Sequence, residues 1–446
     1  MDLAGDAATH AAIPVTVRIA RSTIEGTVEV PGSKSATNRA LVIAGLARGT
    51  SRISGGLAGD DAESMASGLS ALGVGVVEDS PAARSAAWTI TGCGGDLAPG
   101  PTVVDANLAG TTLRFLTAVA ALGSGGITIT GRGGLLRRPV GPLIEALREC
   151  GAQLTGSGEA GDRAPILVGA RVRPLGGHVT IDASQSSQFV TAMLLAAPCF
   201  DEDLVLEHRG LSARGFVELT IEQMRAHGAL VEQDGEAVRV RAATAYQPGD
   251  EHIPPDASAA SHLFTAAAAS GGAVTVSGLE RSSSQPDYEV LAVFEAFGAT
   301  VARHDDASVG LCAPSRLSPV EVDLGAMPDQ LPNVAVLAAL AGGRSRIGGV
   351  GVTRFHETDR IAAVAAELAK VGVLVESDDD SVVVHGGTAH GGVAFFAYDD
   401  HRMAMALAAL AAALGDCTIA GAESVSKTYR DFWTDAAALG LRVGPG

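Results

Sequence analysis

Six times along this chain a short turn opens an apolar helix: at Pro31-Gly32-Ser33-Lys34-Ser35, Gly110-Thr111-Thr112, Ser186-Ser187-Gln188, Asp256-Ala257-Ser258, Asp329-Gln330-Leu331 and Asp400-His401-Arg402. The starts lie about 70 to 77 residues apart, a spacing longer than the roughly 20–50 residues of common solenoid units. Each repeat is therefore a small folding unit and not one hairpin. After the first helix comes a strand, at Thr50 to Ser54, Ile127 to Thr130, Leu204 to Glu207, Ala273 to Ser277, Ser345 to Ile347 and Thr418 to Ala420. An amphipathic helix follows and stops at a glycine: Gly73, Gly151, Gly228, Gly298, Gly372 and Gly440. Glycine just past a helix takes the left-handed conformation that other residues resist, so these positions report one recurring helix stop.

Six units divide naturally into two α/β domains of three units around a central cleft, with breaks at Val30-Pro31-Gly32 and at the Pro-rich run from Gly249 to Pro255. Thr16 to Val30 reads as strand and belongs with the C-terminal half. Residues 1–32 with 255–446 then make domain I and residues 33–254 make domain II, and the chain crosses between them twice. Met1 to Ala12 reads as a loose tail. If the first helices point their N-termini inward, six positive dipole ends face the cleft.

The formal net charge of -18 excludes a nucleic-acid partner, because a phosphate backbone rewards broad basic surfaces. A small anionic ligand is still admitted, since Lys34 and Arg39 sit about one turn apart at a capped helix start. No apolar run is long enough to span a bilayer, and Met1 to Pro14 lacks the pattern of a signal peptide. Five scattered cysteines, never at metal-ligand spacing, read as reduced residues of a cytoplasmic protein.

The densest polar cluster is Arg354-Phe355-His356-Glu357-Thr358-Asp359-Arg360. It reads either as a capping segment with surface ion pairs or as part of a site, in which Glu357 beside cations stays ionised unless burial opposes it. Tyr398-Asp399-Asp400-His401-Arg402 adds a second His and Arg at a helix start, where His401 could equally serve as a cap residue. Asp329 is sufficient as a helix cap, yet a carboxylate among cations can also take a proton from an alcohol, with Glu357 as the second acid-base group. Neither a Walker loop, nor a dinucleotide fingerprint, nor a metal-ligand cluster is present, so no cofactor and no metal are expected.

Taken together and in order, Pro31 to Arg39, Ala109-Gly110-Thr111 with Arg114, Ser186-Ser187-Gln188, His356 to Arg360 and Asp400 to Met405 resemble the 5-enolpyruvylshikimate-3-phosphate synthase family over nearly the whole chain. The resemblance implies a two-domain fold of inverse α/β repeats that closes on 3-phosphoshikimate and phosphoenolpyruvate. It implies transfer of the enolpyruvyl group to the 5-hydroxyl with release of phosphate, through a tetrahedral intermediate, by a cytoplasmic monomer. Residue by residue, it places Lys34, Ser35, Arg39, Ser186, Ser187, Gln188, Asp329 and His356 on 3-phosphoshikimate. It places Lys34, Gly110, Arg138, Gln188, Arg360, Arg402 and Lys427 on phosphoenolpyruvate. Asp329 becomes the proton acceptor for the attacking hydroxyl and Glu357 the proton donor to the methylene carbon, with Lys34 beside them in catalysis.

The sequence departs from the family pattern at several positions. His356 stands where Lys is common, which makes the charge there depend on pH. Leu108, Phe115 and Val352 replace residues that are often Asn, Pro and Asn, and Ala213 sits beside Ser212 where a phosphate-binding Ser is common. A sibling family transfers enolpyruvyl to UDP-N-acetylglucosamine and carries a reactive Cys before the Arg-Pro matched here by Arg138-Pro139; no Cys lies between Gly131 and Val140. A noncatalytic binder of an anionic metabolite would keep the cations but has no need for both Asp329 and Glu357.

Overall fold

A computed structural model describes residues 15–79, 84–171, 175–279, 284–305 and 307–446; the stretch expected as a loose tail lies outside them. Among the described residues the strands form six four-stranded sheets. The second unit shows the plan. Thr102–Asp105 pairs in parallel with Ile127–Thr130, which pairs antiparallel with Arg163–Val168, and that strand pairs antiparallel with Leu154–Ser157. The helix Gly110–Ala120 crosses between the two parallel strands, and Gly141–Glu149 leads to the edge strand.

Three strands are exchanged along the chain to complete sheets. Asp250–His252 runs parallel to Arg48–Leu57 and supplies the first strand of the first unit. Glu25–Val28 does the same for Ala273–Val276 in the fourth unit. Thr16–Ala20 lies between Cys417–Ala420 and Arg442–Pro445 in the sixth, so the N-terminal strands do pair with the C-terminal half.

The buried apolar residues form two clusters, one from Ala36 to Ile253 and the other from Ile19 to Val30 together with Ala257 to Leu441. At the centre of the first the helices Lys34–Leu46, Gly110–Ala120 and Gln188–Ala196 pack on one another; Ala257–Ser270, Leu331–Leu340 and His401–Leu414 do so in the second. These six are buried on nearly every face, which is why they are apolar all round. The second helix of a unit lies outside with one face buried, as in Arg360–Lys370, which covers Ile361, Val364 and Leu368. Alanine at the contacts lets central helices approach closely, so only 4% of the chain needs to be aromatic. All six glycine stops adopt φ of 80 to 111°.

The two crossings run side by side. Ser33 N–H donates to the Pro254 carbonyl and Asp256 N–H to the Pro31 carbonyl, both at 2.9 Å. Gly32 is required here, because a Cβ would sit 1.9 Å from the Gly55 carbonyl oxygen. Ser33 caps the first helix, its Oγ accepting from Ala36 N–H at 3.4 Å. Asp329 is not a cap: it lies in a 3-10 turn, Pro328–Gln330, and the following helix has no side-chain capping bond. Its carboxylate is therefore available elsewhere.

Candidate active site

The two halves meet over a cavity lined by six basic side chains, Lys34, Arg39, Arg114, Arg138, Arg360 and Arg402, against three carboxylates, Asp61, Asp329 and Glu357. In a protein of net charge -18 this local excess of cations marks a place for anions. All the expected site residues line it except Lys427, which reaches it through Glu357 from a second opening beside Leu108.

Two cations of the first half, Arg39 and Arg114, are fixed by their own half. Arg39 Nε donates to Thr220 Oγ1 at 2.8 Å, Nη1 to the Ser35 carbonyl at 2.7 Å and Nη2 to the Phe216 carbonyl at 2.9 Å. Its guanidinium lies 5.6 Å from the centre of the Phe115 ring, which gives that unusual Phe a supporting role. Arg114 rests over Phe189 at 5.1 Å and donates at 2.7 Å to Gln188 Oε1, so it aims the amide at the start of the third helix. Gly110 is needed because a Cβ there would lie 2.5 Å from Arg138 Nη1. Ser186 and Ser187 are buried at the next helix start, where Ser186 Oγ accepts from Gln188 N–H at 3.2 Å. Ser35, Ser212 and Ala213 also face the cavity, so a hydroxyl is present at Ser212 although Ala213 lacks one.

Carboxylates dominate the second half, arranged around Arg360. This fully buried guanidinium donates through Nη1 to Asp329 Oδ1 at 2.6 Å, through Nη2 to Glu357 Oε2 at 2.9 Å and through Nε to Asp400 Oδ2 at 2.7 Å. Asp329 is further held by Arg402 Nη2 at 2.9 Å, and His356 Nδ1 lies 3.2 Å from its Oδ1. Glu357 Oε1 receives Lys427 Nζ at 2.6 Å and, from the opposite half, Arg138 Nη2 at 3.1 Å. Asp329 and Glu357 thus flank one guanidinium. The other oxygen of Asp400 caps the sixth central helix, accepting from Arg402 N–H at 2.9 Å.

Burial alone raises the proton affinity of a carboxylate. For Asp329 that effect is outweighed by Arg402, His356 and Arg360, which hold it well below the usual carboxylate range. Against the same opposition from burial, Arg138, Lys427 and Arg360 hold Glu357 well below its ordinary value. His356 is pushed down by burial, a shift that the hydrogen bond and charge of Asp329 beside it oppose. His401 is not a cap. Burial drives it well below its ordinary value with help from Lys34, and neither ring nitrogen has a hydrogen-bond partner among the described residues.

Sequence reasoning passed over Asp61, Asp400, Ser258 and Asp287. Asp61 lies 3.7 Å from Lys34 Nζ and 4.0 Å from Lys427 Nζ and so bridges cations of both halves. Its sequence signal, Asp60-Asp61 in a helix first turn, is that of any dipole-favoured acidic start. Leu108 contributes through its backbone, its carbonyl accepting from Lys427 Nζ at 3.2 Å.

A six-unit fold with two cores is shared with solved enolpyruvyl transferases. The chain superposes on EPSP synthase from Acinetobacter baumannii with a TM-score of 0.80 at 23% identity, covering 97% of this chain and 100% of that one. With the enolpyruvyl transferase NikO from Streptomyces tendae the TM-score is 0.75 at 19% identity, over 97% and 99% of the two chains. The fold class is thus the one these two proteins share. Within it, the chain belongs to the EPSP synthase (3-phosphoshikimate 1-carboxyvinyltransferase) family, whose profile matches residues 19–435. A 3-phosphoshikimate 1-carboxyvinyltransferase from Methanoculleus marisnigri is 38% identical over 94% of this chain and 97% of its own length. One from Klebsiella pneumoniae is 36% identical over 93% and 96%. The reaction of the family is transfer of enolpyruvyl from phosphoenolpyruvate to 3-phosphoshikimate in the shikimate pathway.

Proposed function

We propose that this chain transfers the enolpyruvyl group by addition and elimination, with Asp329 taking the proton of the 5-hydroxyl and Glu357 delivering a proton to the methylene carbon of phosphoenolpyruvate. The observation that carries this reading is the pair of carboxylates on either side of Arg360, in a cleft where both halves supply cations. Two substrates bearing two phosphates and two carboxylates repel each other in water. Fixed guanidinium and ammonium groups offset that repulsion and hold the reacting atoms together. Lys34, Ser35, Arg39, Ser186, Ser187, Gln188 and His356 would hold 3-phosphoshikimate. Lys34, Gly110, Arg138, Gln188, Arg360, Arg402 and Lys427 would hold phosphoenolpyruvate.

The balance of charge supports the two proton transfers. Arg138 and Lys427 on Glu357, and Arg402 on Asp329, are the groups that anionic substrates would draw to themselves. Each such exchange removes a positive neighbour from a carboxylate and lifts its proton affinity, so Glu357 can carry a proton and Asp329 can accept one. Protonation of the methylene carbon makes the adjacent enol carbon electrophilic and the hydroxyl oxygen adds to it; the C–O bond to phosphate then breaks while the new methyl group returns a proton to the Glu357 carboxylate, which restores the double bond. We place the reaction in the cytoplasm and the enzyme as a monomer of two domains, residues 1–32 with 255–446 and residues 33–254, hinged at the paired crossings; no described helix is long and apolar enough to cross a membrane.

Phosphate release from phosphoenolpyruvate tests the substrate assignment, with 3-phosphoshikimate in one assay and UDP-N-acetylglucosamine in another. Release in the first alone supports it; release in the second alone overturns it. Glu357→Gln should still bind both substrates while turnover falls by about 10²–10⁴-fold, and retained turnover would remove Glu357 from the proton-donor role.

A further inference from the structure

Behind Arg402 a chain of buried polar side chains runs into the second core. Arg402 Nη1 donates to Ser258 Oγ at 3.1 Å, and Ser258 Oγ in turn donates to Asp287 Oδ2. The other oxygen, Asp287 Oδ1, accepts from Gln330 Nε2 at 3.1 Å, and Gln330 is the residue after Asp329. Gln330 Oε1 accepts from Asn333 Nδ2 at 3.0 Å, and Asn333 Oδ1 lies 2.8 Å from His262 Nδ1. Every member is more than nine-tenths buried.

We infer that Asp287 is a positioning residue for phosphoenolpyruvate, holding Arg402 through Ser258 with one oxygen and the Asp329 turn through Gln330 with the other. Arg402 stands between two carboxylates. Asp329 draws Nη2 at 2.9 Å, while the Ser258 and Asp287 pair draws Nη1 the other way. The second pull keeps the guanidinium from collapsing into a two-point pair with Asp329, the geometry that arginine and carboxylate otherwise prefer. A collapsed Arg402 would withdraw a cation from the substrate. It would also pin the carboxylate that must accept the proton. Burial raises the Asp287 carboxyl above its ordinary value, and Arg402 opposes that rise.

The inference rests on reading Arg402 as a phosphoenolpyruvate ligand, and the test separates the two. KM is measured for each substrate by phosphate release in Ser258→Ala, Asp287→Asn, the double variant and Arg402→Gln. We expect KM for phosphoenolpyruvate to rise at least about fivefold in each single variant, KM for 3-phosphoshikimate to stay within about twofold, and the double variant to be no worse than the worse single. An unchanged phosphoenolpyruvate KM in Ser258→Ala and Asp287→Asn, with a raised one in Arg402→Gln, overturns this inference alone. Strictly additive losses also overturn it, because two links of one chain cannot be lost twice. An unchanged KM in Arg402→Gln overturns both it and the reading of the site. Should Asp287→Asn fail to fold, Ser258→Ala removes a single oxygen and carries the comparison by itself.

Discussion

The two halves share one plan of three units around three packed helices, yet they hold their charged groups by different means. In the first half Arg39 and Arg114 lie over Phe115 and Phe189 and are tied to backbone carbonyls, hydroxyls and an amide. In the second half Arg360 and Arg402 are held by Asp329, Glu357, Asp400 and the Ser258 and Asp287 pair. Neutral partners leave a cation with its full charge for a ligand. Carboxylate partners spend some of that charge and in return keep two acid-base groups ionised in a buried place. On the proposed reading, a scaffold used twice provides mainly binding on one side and mainly proton transfer on the other, and the difference lies in the few residues at the helix starts.

The sharpest way to break this contrast is Arg360→Leu. It leaves Asp400 fully buried without its guanidinium, for which a loss of about 3–5 kcal/mol is expected. Urea unfolding should record that loss, and phosphate release should fall below detection; near-native stability would mean that the carboxylates do not depend on Arg360. A smaller effect, of about 1–2 kcal/mol in transition-state binding, is expected for Gly110→Ala, which pushes Arg138 aside and loosens its pair with Glu357 while leaving Arg360 and its carboxylates in place. Its kcat/KM for phosphoenolpyruvate should drop roughly tenfold with unchanged Tm. Phe115→Leu should cost least, about 0.5–1 kcal/mol from the contact with Arg39, and should appear in KM for 3-phosphoshikimate.

Acid provides a further comparison, because the buried His262 and His401 and the half-buried His356 all lie near the carboxylate-rich side. Burial lowers each of them, His262 to about 3, so the unfolded chain binds protons that the native one refuses. Their contribution is complete above the unfolded value near 6.5 and is lost as pH falls toward the folded values, roughly 1.4 kcal/mol per pH unit for each histidine still neutral in the fold. Asp329 and Glu357 act in the same direction, their contribution disappearing at still lower pH. Tm measured from pH 7 to pH 4 should therefore fall steadily. His262→Asn, remote from the substrates, should flatten the slope if it folds, and an unaltered slope would remove His262 from this account.

The sequence alone determined the elements and their recurrence. Caps such as Ser33, the six glycine stops and the apolar helices act within a few residues of themselves, and short-range sterics and hydrogen bonds need no knowledge of the rest of the chain. The motif runs that carry the family resemblance are local in the same sense. Tertiary structure decided which charges meet. Arg360 finds Asp400 across 40 residues, and Lys427 finds Glu357 across 70 and the Leu108 carbonyl across 319. It turned Asp329 from a plausible cap into the partner of Arg360 and Arg402, and His401 from a plausible cap into a buried ring with no hydrogen bond among the described residues. It also drew in Asp61 and Asp287, whose surroundings in the chain look ordinary. Electrostatic effects depend on distance through space and on burial, and neither is set until the two halves have folded against each other.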